Sequence, residues 1–211
     1  MNKKVIIIGA GGHAKVVADI IKLSGDLLVG FLDDNDSKIN FTYENSPVLG
    51  KCSDYKKFKN DHFFIIGIGN NYIRKSISQS AVCNWYTAIH PSAQISPSAE
   101  IEEGTCVMAN AVINSNAKIG RHSIINTASV IEHDCIISNY VHISPRSVVC
   151  GTTSIGDLVW LGAGSTVINS LTIHNNSIIG AGATVVKDIN SPGTYVGTPA
   201  KRIIKTGESH E

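Results

Sequence analysis

Two histidines nine residues apart, His133 and His142, are the side chains of this chain best suited to moving a proton near neutral pH. Asp134 follows His133 directly, and an imidazole beside a carboxylate has the makings of an oriented general base. A solvated surface corner would carry the same pair. A second constellation lies near the start. Gly9, Gly11 and Ala14 satisfy G-x-G-x-x-G/A after the apolar run Val5-Ile6-Ile7-Ile8, and Asp33 and Asp34 follow about twenty residues on. Such glycines let the backbone approach a pyrophosphate, whose charge is favoured by the amides of a helix N-terminus. A tight strand-to-helix turn needs the same glycines, so the motif leaves both readings open. Dinucleotide redox chemistry would require a second mononucleotide half, and the sheet is expected to stop near residue 68. A nucleotide attached to something smaller fits better.

The composition excludes several other chemistries. Across 211 residues, 18 basic side chains stand against 17 acidic ones, so no positive surface is available to grip nucleic acid or an anionic membrane by charge. No apolar run reaches the length of a membrane span, and Met1-Asn2-Lys3-Lys4 leads into a strand rather than a signal peptide. The five cysteines, Cys52, Cys83, Cys106, Cys135 and Cys150, are scattered without a C-x-x-C pair. That suits a reducing compartment and neither a disulfide frame nor a thiolate zinc site, so a cytoplasmic address is expected. Thirty isoleucines with only 17% charged residues favour strands over a helical bundle.

The elements that must position these residues fall into two halves. Residues 1–85 read as a small α/β nucleotide-binding unit: strand Val5–Ile8, a helix carrying Val16, Val17, Ile20, Ile21 and Leu23, strand Leu27–Leu32, and a strand over Phe63–Ile68. After Gly69-Asn70-Asn71, a further helix is expected to run to about Cys83. This half carries 11 basic and 8 acidic residues, a small surplus where a phosphate ligand would go. Residues 86–211 are governed by a repeat. Stepping by six from Ile89 to Val185, all seventeen positions are Ile, Val or Leu, and four residues after each comes a small or apolar residue such as Ala93, Ala111, Ser129 or Ser147. A period of six is incompatible with a helix, so each hexad is a short strand plus a corner, and three hexads close one triangular coil. On that prism His133 lies at an outward corner. His142 emerges half a coil later from a well-separated face, so the two histidines meet only between chains. This geometry predicts active sites at the interfaces of a homotrimer.

The repeat resembles the hexapeptide-repeat acyltransferases, whose fold is a left-handed parallel β-helix. Three further strings, Ile8-Gly9-Ala10-Gly11-Gly12-His13, Phe31-Leu32-Asp33-Asp34 and Ile68-Gly69-Asn70-Asn71, together with Asn126 to Cys135 and Val141-His142-Ile143-Ser144, are similar to the NeuD/PglD-like sugar acetyltransferases of that group. The resemblance covers nearly the whole chain. It implies an acetyl-CoA-dependent N-acetyltransferase of bacterial surface glycan biosynthesis, acting on a UDP- or dTDP-linked amino-deoxy sugar, with no metal. Carried over by position, His133 is the general base and Asp134, where the family has Glu, supports it. Asn126 lies beside the catalytic histidine, and His142 near the thioester carbonyl. Gly11, Gly12, His13, Asp33, Asp34 and Gly69 contact the nucleotide sugar, while Ala163 and Ala181 line the CoA arm. The last two are eighteen residues apart, hence stacked in one column, as a rod-like pantetheine requires. The tail Tyr195 to Arg202 likewise resembles a family ending near the adenine nucleotide, or is a plain cap.

Three other readings remain open at this level: O-acetylation of a sialic acid, as in NeuD-like members; a γ-carbonic-anhydrase-like metalloenzyme using His122 with His133 and His142; and a non-catalytic nucleotide-sensing trimer. His90, His122 and His174 are expected in ordinary surface or corner roles, and Trp85 and Trp160 as packing residues. The fold expected is thus a Rossmann-like α/β domain over 1–85, then a trimeric left-handed β-helix with a C-terminal cap over 86–211.

Overall fold

The computed structural model describes residues 2–38, 40–43 and 45–203; the end of the second expected domain, 204–211, lies outside them. The first half is a six-stranded sheet in the order β3-β4-β2-β1-β5-β6. Its strands are β1 (Lys4–Ile8), β2 (Leu27–Leu32), β3 (Thr42–Tyr43), β4 (Ser46–Gly50), β5 (Phe63–Ile66) and β6 (Asn84–Trp85), with helices α1 (Gly12–Leu23) and α2 (Asn71–Ser80). All neighbours are parallel except β3 and β4. β1 is buried on both faces, as a central parallel strand must be. Val5 and Ile7 pack with α1, while Ile6 and Ile8 pack toward Phe64, Tyr55 and Ile77.

Three details differ from the sequence reading. The third long strand ends at Ile66, and the next residue must be glycine, because a side chain at Gly67 would stand 2.6 Å from Ile7 and 2.8 Å from Ala14. Helix α2 ends at Ser80, and the chain then re-enters the sheet as β6, so the sheet does not stop near 68. The short strands β3 and β4 were hidden by the polar, proline-bearing stretch in which they lie.

From Ala88 onward the chain winds into a left-handed parallel β-helix of two- and three-residue strands. Face one carries Ala88–Ile89, Cys106–Val107, Ile124–Ile125, His142–Ile143, Trp160–Leu161 and Ser177–Ile179. Face two runs from Gln94–Ile95 to Thr184–Val185, and face three from Glu100–Ile101 to Thr172–Ile173. Partners are eighteen residues apart, Cys106 opposite Ile124 and Val112 opposite Val130. The last residue of each strand is the aliphatic one that fills the prism, together with the small residues four positions on, from Ala111 to Ala183. Only the first coil is loosely buried, and Ile89 is 36% exposed because no coil lies beneath it. The other end is closed by Gly193–Val196 and Lys201–Ile203, paired antiparallel over the last strand of face one.

Each corner turns on a residue in the left-handed region. From Gly104 to Gly182 every sixth residue has φ between 52° and 72°, and only Gly104, Gly164 and Gly182 are glycine. For the other side chains this conformation costs about 1–2 kcal/mol. It is held because the corner amide bonds the coil before, as Asp134 N does to Ser115 O at 2.9 Å. Thr152 is exposed, β-branched and at φ 61°, the least suitable side chain for such a corner. Thr152→Gly is therefore expected to stabilise the fold by up to about 1 kcal/mol in chemical denaturation, relief of strain outweighing glycine's unfolded-state entropy. A lower unfolding midpoint would show that the corners are not strained.

Candidate active site

The outward residues of face one form a column, Ala88, Cys106, Ile124, His142, Trp160 and Ile178, each one coil above the last. The N-terminal domain covers the first three, which are buried in a core shared with Val5, Ile7, Ala14 and Val17. His142 is therefore the first residue of the column at the rim of the covering domain, and Trp160 and Ile178 stand beyond it, exposed. At that rim lies an apolar cavity of about 370 Å³ between the start of α2 and face one. Its walls are Gly69, Asn70, Asn71, Tyr72, His142, Leu158, Trp160, Asn176 and Ile178. Trp160 stacks on His142, with centroids 6.0 Å apart and planes within 9°, and its Nε1 donates to Ser144 Oγ at 2.9 Å. It is thus part of the cavity wall rather than an ordinary packing residue.

Asn126 sits at the corner between faces one and two, and its Nδ2 lies 3.1 Å from His142 Nε2. An amide nitrogen can only donate, so His142 Nε2 accepts and its Nδ1 carries the proton. Burial drives the pKa of His142 down to about 3, helped by the Arg74 guanidinium and by His13, with the Gly69 backbone opposing. His13, at the start of α1, is held at about 4 by burial and then Arg74, and its Nε2 is buried without a partner. Two sequence-predicted residues from the two halves, His13 and His142, thus face the same charge, both neutral.

His133 stands elsewhere, at the corner between faces two and three. Its Nδ1 is 2.8 Å from Asp134 Oδ2, while Asp134 Oδ1 accepts from Asn116 Nδ2 at 3.2 Å. Those hydrogen bonds, His133 first, hold the Asp134 carboxyl below its usual range. With Nδ1–H spent on the carboxylate, Nε2 keeps the lone pair a general base needs. The ring occupies space left by Gly151 one coil above, where a Cβ would come within 2.7 Å of Nε2. Face two separates this pair from Asn126 and His142. Ala163 and Ala181 are exposed at the corner that carries Asn126, and Gly182 N bonds Ala163 O at 2.9 Å; their column rises through Pro145 from Thr127, the neighbour of Asn126.

In the N-terminal half, Gly11 and Gly12 face open space where a side chain would meet nothing, which leaves the amides opening α1 accessible. Asp33 closes on this turn, its Oδ2 accepting from Ala10 N at 2.7 Å and its Oδ1 from Asn35 N at 2.9 Å. Asp34 points away, accepting from Cys52 N at 2.9 Å. Asp33, Asn35, Asp36, Val48, Gly50, Lys51 and Asp54 line a cavity of about 110 Å³ beside the turn. Gly69 carries no side chain into the larger cavity, and its carbonyl accepts from Arg74 Nη1 at 2.9 Å.

His122 corrects the sequence reading. It is 2% exposed, held between the rings of Trp85 and Tyr140, and burial followed by Arg74 and Arg121 lowers its pKa to about 4. In that position it cannot join His133 and His142, so the three-histidine metal reading loses a member. Among the described residues no three His, Cys, Asp or Glu converge on a metal-sized site, and no helix is long and apolar enough to cross a membrane. Arg74 was missed altogether. It lies within a polar helix, and its burial follows only from the docking of that helix on the prism.

Comparison with known proteins agrees with both halves. Residues 4–81 match the PglD N-terminal domain, and residues 152–187 the bacterial transferase hexapeptide repeat. A UDP-N-acetylbacillosamine N-acetyltransferase of Bacillus subtilis is 39% identical over 107 residues, which is 48% of this chain and 50% of that protein. The chain spans half or less of the length of the curated relatives it matches. Among solved structures, the acetyltransferase domain of PglB from Neisseria gonorrhoeae superposes with a TM-score of 0.91 at 35% identity, over 96% of this chain and all of that one. A histidine-to-alanine mutant of GDP-perosamine N-acetyltransferase from Caulobacter crescentus, in complex with CoA and GDP-perosamine, gives 0.90 at 34% identity, over 95% and 96% of the two chains.

The three neutral histidines set the acid stability. His13, His122 and His142 have folded pKa values of about 4, 4 and 3, below the unfolded value of 6.5, so the unfolded chain binds more protons in between. Stability is then complete above pH 6.5 and is lost as pH falls toward the folded values, each histidine contributing a slope of at most about 1.4 kcal/mol per pH unit. Urea denaturation across this range should show that slope, and His122→Asn, which tolerates the left-handed corner, should remove about one proton from it. An unchanged slope in the variant would mean that His122 is not held neutral.

Proposed function

The chain belongs to the hexapeptide-repeat sugar N-acetyltransferases with a PglD-type N-terminal domain, and we propose that it transfers acetyl from acetyl-CoA to the amine of a nucleotide-linked amino-deoxy sugar. The observation that carries this reading is the pair of half-sites at the two edges of face two. One edge holds His133 and Asp134, a base with its carboxylate. The other holds Asn126 and His142 beside the foot of the column of Ala163 and Ala181. Face two between them is apolar at Val112, Val130 and Val148, whereas face three presents Glu100 and Lys118. Packing copies through the apolar face brings His133 of one chain toward His142 of the next, which supports a homotrimer with shared sites.

In this reading the opened amides of Gly11, Gly12 and His13 take the diphosphate, with Asp33 on the nucleoside side and Gly69 beside the sugar, while Asp34, bonded to Cys52 N, holds the neighbouring loop rather than the ligand. Pantetheine runs along Ala163 and Ala181, and the thioester reaches the neutral His142. The sugar amine attacks the thioester carbonyl, forming the C–N bond, while His133 Nε2 takes the amine proton and Asp134 stabilises the imidazolium. Collapse of the tetrahedral intermediate breaks the C–S bond. CoA leaves as the thiolate, and the proton held by His133 balances it. The named activities of the relatives, acting on amino sugars, favour the amine over a sialic acid hydroxyl as acceptor.

His133→Ala should lower kcat about 10²–10⁴-fold in a CoA-release assay with nucleotide 4-amino sugars. Near-native turnover by the folded variant would sink the assignment, and activity confined to sialic acids would replace the acceptor. Co-refolding equal amounts of His133→Ala and His142→Ala chains should recover about a quarter of native activity, because each shared site draws one residue from each neighbour. No recovery would place both residues in one chain's site.

A further inference from the structure

Arg74 is 1% exposed, and no carboxylate pairs with it among the described residues. Burying an unpaired guanidinium costs several kcal/mol unless its donors are all met. Here they are. Nε donates to His122 O at 2.9 Å, Nη1 to Gly69 O at 2.9 Å and Ile68 O at 3.2 Å, and Nη2 to Asn71 Oδ1 at 2.9 Å, Tyr140 O at 3.0 Å and Val141 O at 3.4 Å. These acceptors belong to three bodies: the loop after β5, the helix α2 itself, and the corners of two successive coils. One residue thus sets where the loop sits on the prism. That loop is the wall of the cavity at Gly69, against which His142 rests, and His142 in turn meets Asn126 and Trp160.

Resting on the acetyl-transfer reading above, we propose that Arg74 is a positioning residue: it locks the Gly69 loop against face one, and thereby holds the ring plane of His142 where the Asn126 amide selects a single tautomer. The electrostatics agree with the geometry. The groups facing His142 are His13 from α1, Arg74 from α2, the Gly69 backbone, and Asn126 and Trp160 from the prism, with His122, Tyr140 and Cys106 farther along the same docked surface. No carboxylate stands among them, so the field at His142 is positive, and burial and Arg74 together keep it unprotonated.

The test reads the imidazole directly by ¹⁵N NMR and turnover separately. In the unaltered protein, His142 should show one neutral tautomer, Nδ1 protonated, between about pH 5.5 and 8. Arg74→Lys keeps the charge but cannot reach all three bodies; His142 should remain neutral with mixed tautomer signals, and kcat should fall about 10–100-fold with a smaller change in KM. Arg74→Met should in addition let His142 take up a proton at higher pH than in the native chain and raise the acidic limb of the pH profile. Folded variants with the native His142 signals and kcat within about twofold would overturn the proposal. So would an unaltered protein in which His142 titrates near 6.5, a result that needs no variant to fold. Absence of acetyl transfer by the unaltered protein would instead overturn the functional reading, leaving the coupling to be judged on the imidazole signals alone.

Discussion

From Ala88 to Val185 each strand position of the prism is tied to the position eighteen residues away, because the coils pair strand upon strand at that offset. This single register converts a sequence into columns. It puts the aliphatic residue of each hexad into the prism and the left-handed residue at each corner, and it lines up the outward residues of each face. A column can then change character along its length without disturbing the core. Face one does so, from Ala88, Cys106 and Ile124, which serve as the floor of another domain, to His142, Trp160 and Ile178, which line the cavity beyond it. The cavity lies where the cover ends.

The docking of the N-terminal domain uses the same offset. Helix α2 reads the corners of four coils in succession: Arg74 bonds the carbonyls of His122 and Tyr140, Asn71 Nδ2 donates to those of Leu158 and Val159 at 3.0 and 3.2 Å, and Tyr72 Oη donates to Asn176 Oδ1 at 3.2 Å. The corner residues 122, 140, 158 and 176 differ in type, yet their backbone groups recur at a fixed spacing. A helix with donors at 71, 72 and 74 can therefore grip the prism through backbone and a corner amide, independent of charge pairing.

Periodic constraints were legible in the sequence, and aperiodic ones were not. The prism, its period and its small-residue columns follow from the positions of Ile, Val and Leu alone, and the glycine turn before α1 follows from local backbone needs. The left-handed corners were hidden, because side chains as unlike as Asn110, Thr152 and Leu158 occupy them. The geometry there is imposed by closing the coil rather than by residue preference. His122 and Trp160 were misjudged for a related reason: burial of one and stacking of the other depend on which faces the first domain covers. Neither is encoded by spacing within a hexad. Arg74 is the extreme case, a charged residue on a short polar helix whose six acceptors come from across the chain.

His133 and His142 lie in opposite electrostatic surroundings, an opposition that suits them to different work. His133 is exposed, bonded to a carboxylate through Nδ1, and keeps the lone pair of Nε2 for an incoming proton. The carboxylate orients the ring and leaves that lone pair facing outward. His142 is sunk beneath Trp160, within the field of a buried guanidinium and beside a second neutral histidine, and its Nε2 is already spent on Asn126. Protonating it would add positive charge where nothing negative waits, so this ring is built to keep its charge and its orientation. The proposed acetyl transfer would use one of each, a base that accepts the amine proton and a fixed dipole beside the carbonyl that does not compete for it. Placing them at opposite edges of one face keeps Asp134 away from His142 and Arg74 away from His133. Within a single chain that separation preserves both environments, and in the proposed trimer apposition of two chains would bring the proton acceptor and the fixed imidazole to one substrate.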